Sequence, residues 1–300
     1  MGGQTTPIAV APLRIGDTEI ERVVDLDRFE LQLRWLFPNA DPAALEADRH
    51  WLEPAFMQGE TVGLSIHSTI LRIDGRIVLI DTCVGEHKPR PRHAAWNERP
   101  ATPYLARLAA VGLRPEDVDV VLCTHLHADH VGWNTRLVNG RWVPTFPKAR
   151  YLIGRAELAH WQERLRRQPE GEVNHGSYAD SVLPVIDAGM VDLVESDHEI
   201  ANGLVVRALP GHTPGQVGLS LRRGDAGGLF VGDAIHHPVQ LVRPDWSSSL
   251  CADPDQARIT RQGFLAEAAE RGAWLLPAHF IGVTGMRIRR RGDGYAPVEA

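Results

Sequence analysis

The chain has 300 residues, a formal net charge of −6, a hydrophobic fraction of 43% and an aromatic fraction of 6%. These values predict an ordinary globular protein with one large α/β domain or two smaller ones. The net charge argues against a nucleic-acid partner, which usually requires a concentrated basic face. No apolar run in the sequence approaches the roughly 20 residues that a membrane span requires, so we expect none.

The N-terminal part of the chain predicts two stretches of strand, at residues 17–24 and 62–81. A hairpin turn signal, Asp74-Gly75, divides the second stretch. Both stretches are rich in β-branched residues, which favours strands over helices.

The segment between these strands, residues 25–60, contains large apolar side chains such as Trp35 and Trp51. That is more apolar surface than a free tail carries. Two interpretations stay open, a lobe over the active site or plain packing against the core. No linker is evident along the chain, and we therefore predict a single domain over residues 1–300.

The cysteines are Cys83, Cys123 and Cys251, an odd and sparse set. Such a set does not make a disulfide framework. We therefore expect a cytoplasmic protein. The sequence leaves the oligomeric state open, with a homodimer among the alternatives.

A dense group of metal-binding side chains follows the next predicted strand. The apolar run Val118–Cys123 indicates a buried strand, and it leads into Thr124-His125-Leu126-His127-Ala128-Asp129-His130. Imidazoles and carboxylates are ligands for divalent metals. Because alternate residues of a strand share a face, His125, His127 and Asp129 are expected to project together. The cluster predicts a metal site where a strand opens into a loop.

The rest of the chain predicts a mixture of helices and strands. Helices are expected from the N-cap Thr102 to Gly112, over residues 155–167, and from the N-cap Asp253 to about Arg271. Strands are expected over residues 203–209, 216–221, 228–231 and 274–276. Since several strands follow one another like hairpins, we predict two sheets packed face to face and covered by helices.

Three further candidate ligands each follow an apolar, strand-like run. They are His212, Asp233 and His279. Strand ends that converge on one edge of a sheet sandwich would bring these side chains to the first cluster. Taken together with that cluster, they favour a functional site over isolated structural residues.

Five short motifs give the chain a family resemblance from about Ile66 to its C-terminus. They are Leu79-Ile80-Asp81-Thr82, the His-x-His-x-Asp-His cluster, Gly211-His212-Thr213-Pro214-Gly215, Gly232-Asp233 and Ala278-His279. With these motifs the chain resembles the metallo-β-lactamase-fold hydrolases. The resemblance implies an α+β fold, a four-layer αββα sandwich of two mixed sheets with helices on the outer faces.

The resemblance also implies two metal ions, most readily zinc, with iron, manganese or cobalt as alternatives. His125, His127 and His212 would bind the first ion, and Asp129, His130 and His279 the second. Asp233 would bridge both ions. Asp81 matches an acid that supports such a centre without binding metal, since outer partners fix the orientation of the ligands.

A centre of this kind is expected to hydrolyse a small molecule. Two divalent ions lower the pKa of a shared water, and the resulting hydroxide is a nucleophile at neutral pH. Asp129 is a candidate proton shuttle to the leaving group. No Gly-x-Ser-x-Gly nucleophile motif is present in the sequence.

Two branches of the resemblance stay open for the substrate. The Gly211–Gly215 loop and the ligand set are similar to those of N-acyl homoserine lactonases. Residues 278–280 and 285–295 resemble methyl parathion hydrolase. We predict hydrolysis of a carboxylic ester or lactone, with phosphotriester hydrolysis as the alternative. A redox diiron protein or a non-catalytic binding protein on the same fold are alternatives from other classes.

Three residues are candidates for contact with the substrate. His236 stands where many lactonases of this kind have a tyrosine, three positions after the bridging acid, and would donate a hydrogen bond to a substrate oxygen. Trp133 and Phe280 directly follow segments of the predicted centre and are expected to line an apolar pocket. The alternatives are a loop histidine without substrate contact and a packing role for Trp133.

Overall fold

The computed structural model describes residues 12–168 and 173–298. Its strands are β1 (Leu13–Ile15), β2 (Thr18–Gln32), β3 (Met57–Gln58), β4 (Thr61–Ile73), β5 (Arg76–Ile80), β6 (Val120–Cys123), β7 (Thr135–Val138), β8 (Arg141–Pro144), β9 (Arg150–Gly154), β10 (Val191–Val194), β11 (Glu199–Ala201), β12 (Leu204–Ala208), β13 (Val217–Arg223), β14 (Ala226–Gly232), β15 (Trp274–Pro277), β16 (Ile288–Arg291) and β17 (Gly294–Pro297).

The α-helices within the same ranges are α1 (Leu33–Leu36), α2 (Arg49–Leu52), α3 (Tyr104–Ala110), α4 (Ala128–Val131), α5 (Arg155–Arg167), α6 (Leu183–Asp187), α7 (Val239–Val242) and α8 (Pro254–Arg271). In this part of the chain, none of the helices has the length and apolar character that crossing a membrane demands.

The strands form two large sheets and two small hairpins. The first sheet has the order β1-β2-β4-β5-β6-β9-β10, with β3 paired to β4, and the second has the order β11-β12-β13-β14-β15. Strands β5, β6, β9 and β10 run parallel, as do β14 and β15, whereas the other neighbours in these sheets are antiparallel. Both sheets are therefore mixed, as the resemblance implied.

Alternation along β6 shows how the first sheet buries both of its faces. Leu122 packs into a cluster shared by the two sheets. Its neighbours Val121 and Cys123 point to the other face, where they pack with residues of α3, α5 and α6. Because successive side chains of a strand alternate between faces, one short apolar run contributes to two layers of core.

The second sheet is covered in the same manner. Phe230 of β14 packs toward the first sheet. Leu229 and Val231 pack on the outer face with Phe264 and Leu265 of α8. The order of layers is helix, sheet, sheet, helix, which confirms the predicted α+β sandwich.

The predicted elements agree with the observed ones except in three places. Strand β2 continues to Gln32, eight residues past the predicted end, because it pairs with β4 along that length. Helix α3 begins at Tyr104, whose N–H lies 3.4 Å from the Thr102 hydroxyl. The histidine cluster is not extended throughout, since Ala128–Val131 forms a helical turn.

The segment that follows β2 has a small core of its own. Leu33, Phe37, Leu45 and Leu52 pack together, and Trp246 joins them. These side chains are buried, as core packing of the segment requires. The placement of residues 25–60 as a lobe stays a prediction.

Candidate metal centre

The candidate ligands lie on loops, and on the short helix α4, that follow strands. Strand β6 ends just before the histidine cluster, β14 ends just before Asp233, and β15 ends two residues before His279. His212 lies between β12 and β13. Loops that follow strands in a rigid sheet are common places for catalytic side chains, because the scaffold holds them. The structure brings all seven predicted ligands together at this edge.

Three imidazoles form the first group of converging ligands. The Nδ1 atom of His127 lies 3.0 Å from Nε2 of His125 and 2.8 Å from Nε2 of His212. Burial lowers the pKa of His125 and His212 well below the usual value, and that of His127 to about 4. The rings are therefore neutral at pH 7, and neutral imidazole is the form that binds metal.

The second group contains one carboxylate and two imidazoles. The Oδ2 atom of Asp129 lies 3.7 Å from Nε2 of His130 and 3.7 Å from Nε2 of His279. Asp129 is partly exposed, as is His127 in the first group, while the other ligands are buried. The centre is therefore accessible from outside at Asp129 and His127.

Asp233 stands between the two groups, with one oxygen toward each. Its Oδ1 atom lies 3.0 Å from Nε2 of His279 and 3.3 Å from Nε2 of His130. Its Oδ2 atom lies 3.4 Å from Nε2 of His212 and 3.9 Å from Nε2 of His125. A carboxylate in this orientation can coordinate two cations at once.

The carboxylates of Asp233 and Asp129 act strongly on the two imidazoles of the second group. Burial acts to lower the pKa of His130 and of His279, but the carboxylates of Asp233 and Asp129 outweigh it and raise both. Although burial acts to raise the pKa of Asp233, the imidazoles of His279 and His130 hold it well below its usual range. An environment that stabilises positive charge on imidazoles would also stabilise a bound cation.

Asp81 lies outside both groups and orients His130. Its carboxylate accepts hydrogen bonds from the backbone N–H and the hydroxyl of Thr124, both at 2.8 Å. Its Oδ2 atom also lies 2.8 Å from Nδ1 of His130. An imidazole that donates through Nδ1 presents an unprotonated Nε2 to a metal.

His279 and His212 have outer partners of different kinds. The Nδ1 atom of His279 lies 2.9 Å from the carbonyl oxygen of Ser65, so this nitrogen donates. The Nδ1 atom of His212 lies 3.8 Å from the sulfur of Cys251. In both rings Nε2 faces Asp233.

His236 lies beside the first group. Its Nε2 atom is 3.5 Å from Oδ2 of Asp233, and its ring centroid is 4.8 Å from that of His212. The ring is buried, and among the described residues neither ring nitrogen has a hydrogen-bond partner. Burial lowers the pKa of His236 to about 4.

Glu157 is a buried acid that the sequence analysis missed. It accepts hydrogen bonds from the backbone N–H of Leu126 at 3.0 Å and from the hydroxyl of Thr213 at 2.6 Å. It therefore joins the loops that carry His125 and His212. Burial raises its pKa, although these hydrogen bonds oppose the shift. The available signal in the sequence was a lone acid on the apolar face of α5.

Two of the predicted substrate contacts need correction. Trp133 is fully buried and stacks on Tyr104 at 5.2 Å between ring centroids. Phe280 is fully buried and packs with Phe56 at 6.3 Å. Neither side chain lines the cavity beside the centre. Both fill the core because the chain turns inward directly after the ligand segments.

A cavity of about 830 Å³ opens directly on this centre. His127, Asp129, His212, Asp233, His236 and His279 form part of its lining. A cavity of this volume is in the range that binds small molecules. His236 is therefore the one predicted substrate contact that reaches the cavity.

The available donor atoms fit two divalent cations. In each of four overlapping sets of three side chains, the nitrogen and carboxylate oxygen atoms lie within 4.8 Å of one another. Among the described residues, Nε2 of His130 and Oδ1 of Asp233 are buried and make no hydrogen bond of good geometry, although they lie only 3.3 Å apart. Buried polar atoms are normally satisfied, and metal coordination would satisfy these.

Comparison with known proteins gives one family and several relatives. A family profile described as the metallo-beta-lactamase superfamily matches residues 61–279. An N-acyl homoserine lactonase of Bacillus cereus is 24% identical over 190 residues. That alignment covers 60% of this chain and 67% of the relative, so the chain spans about two thirds of the length of the lactonase it matches.

Solved structures resemble the chain over nearly all of its length. The hydrolase AbOPH of the beta lactamase superfamily has a TM-score of 0.80 at 22% identity and covers 99% of each chain. AidC, a dizinc quorum-quenching lactonase in complex with a product, has a TM-score of 0.74 at 18% identity and covers 97% of each chain. At these identities, the likeness establishes the fold.

Proposed function

Because the chain belongs to the metallo-β-lactamase superfamily and is a hydrolase of that family, we propose that it uses two divalent ions to cleave a small ester or lactone. The orientation of Asp233, with one oxygen toward each group of ligands, carries the proposal of two ions. The cavity volume of about 830 Å³ supports a small-molecule substrate.

The proposed ligand sets follow the two groups of side chains. His125, His127 and His212 would hold one ion, Asp129, His130 and His279 would hold the other, and Asp233 would touch both. Ions bound there supply Lewis acidity and lower the pKa of water. Zinc is the first choice for this mixture of nitrogen and oxygen donors, and iron, manganese and cobalt also suit it.

Asp129 is the proposed proton carrier. It is the only carboxylate among the seven proposed ligands that is partly exposed to the cavity, so it can reach both the centre and a leaving group. A carboxylate within hydrogen-bond reach of a leaving oxygen can deliver a proton to it. The variant Asp129→Asn should lose activity while its fold stays intact, and full activity with unchanged metal content would contradict the role.

His236 is the proposed donor to a substrate oxygen. Its neutral ring has one N–H, and none of the described residues accepts a hydrogen bond from it, the nearest carboxylate oxygen being Oδ2 of Asp233 at 3.5 Å. A fixed donor aimed at developing negative charge lowers the barrier of acyl transfer. Replacing His236 with Phe, which keeps a ring without a donor, should lower kcat by about 100-fold. An unchanged kcat would leave His236 as a packing residue.

Ester or lactone hydrolysis is favoured over the alternatives because the related Bacillus cereus protein is named a lactonase. Phosphotriester hydrolysis stays the second candidate, since the same ligand set can polarise a phosphoryl oxygen. A redox diiron protein is the rival from another class.

The deciding experiment loads the purified chain with zinc and measures both its metal content and its reactions. The substrates are aliphatic lactones, aryl esters, acyl-homoserine lactones and paraoxon. We expect two zinc ions per chain and turnover of the esters or lactones. Turnover of paraoxon alone would favour the second candidate, and redox activity without hydrolysis would overturn the proposal.

A further inference from the structure

Beyond the metal centre, the lining of the cavity has two parts of opposite character. Apolar side chains come from β2, α1 and β4, and include Phe29, Leu31, Leu36, Leu64 and Ile66. We call these five residues the apolar wall. Trp35, at the rim beside them, is 52% exposed.

The other part is rich in nitrogen donors. It consists of Arg92, His93, Arg164, Gln168, Asn174 and His175, which we call the cationic wall. Among the described lining residues, the only carboxylates are the proposed ligands Asp129 and Asp233. Arg92 and Arg164 therefore carry the fixed charges of this wall, and both charges are positive.

A buried ion pair fixes one end of the cationic wall. Both terminal nitrogens of Arg90 donate to the carboxylate of Asp180, at 2.7 and 2.8 Å, and Arg90 is fully buried. Lys88, also fully buried, donates to the hydroxyl of Thr135 at 2.6 Å and to the backbone carbonyl of Asp180 at 3.1 Å. A paired, bidentate arginine is well suited to hold a loop in one geometry.

The turn that carries Arg92 and His93 begins at Arg90, the arginine of this ion pair. The backbone N–H of His93 donates to the carbonyl of Arg90 at 2.9 Å, and that of Trp96 donates to the carbonyl of His93 at 2.8 Å. The His93 ring stacks on Trp96 at 4.6 Å and meets His175 edge-on at 4.7 Å. Arg92 lies within this braced turn.

Backbone strain marks the other end of the wall. Asn174 and His175 are consecutive non-glycine residues with φ of 54° and 55°. Left-handed conformations in such residues cost about 1–3 kcal/mol each and persist where the surroundings enforce them. The Asn174 amide donates to the carbonyl of Leu126, between the proposed ligands His125 and His127. The wall is thereby coupled to the metal centre.

Arg164 approaches the centre from helix α5. Its guanidinium lies 5.6 Å from the Trp161 ring, and the centroid of that ring lies 5.6 Å from that of His127. One aromatic ring thus separates this cation from the first group of ligands. Two arginines, on separate segments, border the same cavity as the reaction centre.

We propose that the cationic wall binds an anionic group on the substrate, so that the substrate is an ester or lactone with an apolar arm and an acidic arm. This inference rests on the proposed function for the bond that is cleaved. The anionic group is a carboxylate, sulfonate or phosphate, which guanidinium recognises by charge and paired hydrogen bonds. The apolar wall receives the other arm.

A binding experiment tests the wall without any reaction. Calorimetry on the zinc-loaded protein compares hexanesulfonate with the uncharged methyl hexyl sulfone. The double variant Arg92→Gln/Arg164→Gln should bind hexanesulfonate about tenfold more weakly and should lose most of the salt dependence. The sulfone should show a much smaller change.

Arg167→Gln is the matched control on the same helix. Arg167 is exposed, pairs with Glu163 at 2.7 Å and does not line the cavity. Its variant removes one positive charge from α5 and should bind hexanesulfonate within twofold of the wild type. An equal loss in the control, or no loss in the double variant, overturns the proposal.

A matched pair of esters separates this proposal from the proposed function. The substrates are 3-carboxyphenyl hexanoate and its neutral analogue, 3-carbamoylphenyl hexanoate. We expect the wild type to prefer the anionic ester by about tenfold in kcat/KM, and the double variant to lose that preference. Equal rates for the two esters in the wild type contradict the anionic arm. Turnover of neither ester, together with no turnover of the lactones, contradicts the proposed function, while the calorimetry still reports on the wall.

Discussion

The candidate metal centre and the cationic wall border the same cavity but are built differently. The proposed ligands stand on short segments after β6, β12, β14 and β15, and contacts with Asp81 and with strand β4 orient His130 and His279. The cationic wall stands on a turn, a helix and a strained loop, and a buried ion pair secures it. One edge of the scaffold thus holds the proposed reaction centre, while separately anchored segments hold the proposed substrate contacts.

The largest expected effect comes from breaking the metal centre at Asp233. The Asp233→Ala variant should retain at most one zinc ion per chain and lose about 1000-fold in kcat/KM, because Asp233 is the proposed shared ligand of both ions and their Lewis acidity would supply several kcal/mol. Metal analysis and steady-state kinetics measure the two effects. Asp245→Ala, which removes a carboxylate paired with Arg243 at 2.9 Å away from the cavity, is the control and should change neither. Two tightly bound ions in Asp233→Ala would refute the bridging role.

The next effect concerns the anchor of the cationic wall. Asp180→Ala leaves Arg90 and Lys88 buried without their carboxylate, which should lower the free energy of unfolding by about 3 kcal/mol. Urea denaturation measures this change. Asp192→Ala, which breaks an exposed pair with Arg150, should cost less than about 1 kcal/mol. If both variants lose the same stability, the ion pair is not an anchor.

The buried Lys88 should make the free energy of unfolding depend on pH. Burial lowers the pKa of Lys88 from 10.5 to about 7, outweighing the carboxylate of Asp180. The folded chain therefore binds fewer protons at this site than the unfolded chain between these two pKa values, so the free energy of unfolding rises with pH there. Relative to Lys88→Met, the wild type should gain about 2 kcal/mol between pH 7 and 9. Parallel stability profiles would show that Lys88 titrates normally.

The smallest effect is expected where two ligand loops meet at Glu157. Glu157→Gln turns one carboxylate oxygen into an NH2 donor, which then faces an existing donor, either the N–H of Leu126 or the hydroxyl of Thr213. Zinc affinity should fall about tenfold, as is usual when an outer partner of a ligand is lost. A chelator competition assay measures it, and Glu163→Gln on the exposed face of the same helix serves as control. Equal zinc affinity in both variants would mean that Glu157 does not position the loops that carry His125 and His212.

The convergence of the proposed ligands could be predicted from the sequence because their signals were local. Four candidate ligands stand within six residues at His125–His130, and the others follow apolar runs that also predict strands. The sheets were predictable for the same reason, since alternation and apolar runs such as Val118–Cys123 report burial directly. The family resemblance added how the ligands divide between two ions.

The surroundings of the centre were harder to predict because they depend on direction and on distant contacts. Trp133 and Phe280 stand next to ligand segments in sequence, yet both side chains turn into the core. Nothing in the sequence distinguishes Glu157 from other acids, because its partner Thr213 is distant in the chain and meets it only in the fold. Arg90 pairs with Asp180, which lies 90 positions later in the chain, and no short sequence motif predicts this pair.

Anomalous diffraction from zinc-loaded crystals, collected at the zinc absorption edge, tests the central claim most directly. The account predicts two anomalous peaks, one on each side of the Asp233 carboxylate. One peak should lie among His125, His127 and His212, and the other among Asp129, His130 and His279. A single peak at this centre, or zinc bound only elsewhere in the chain, would contradict a two-metal hydrolase.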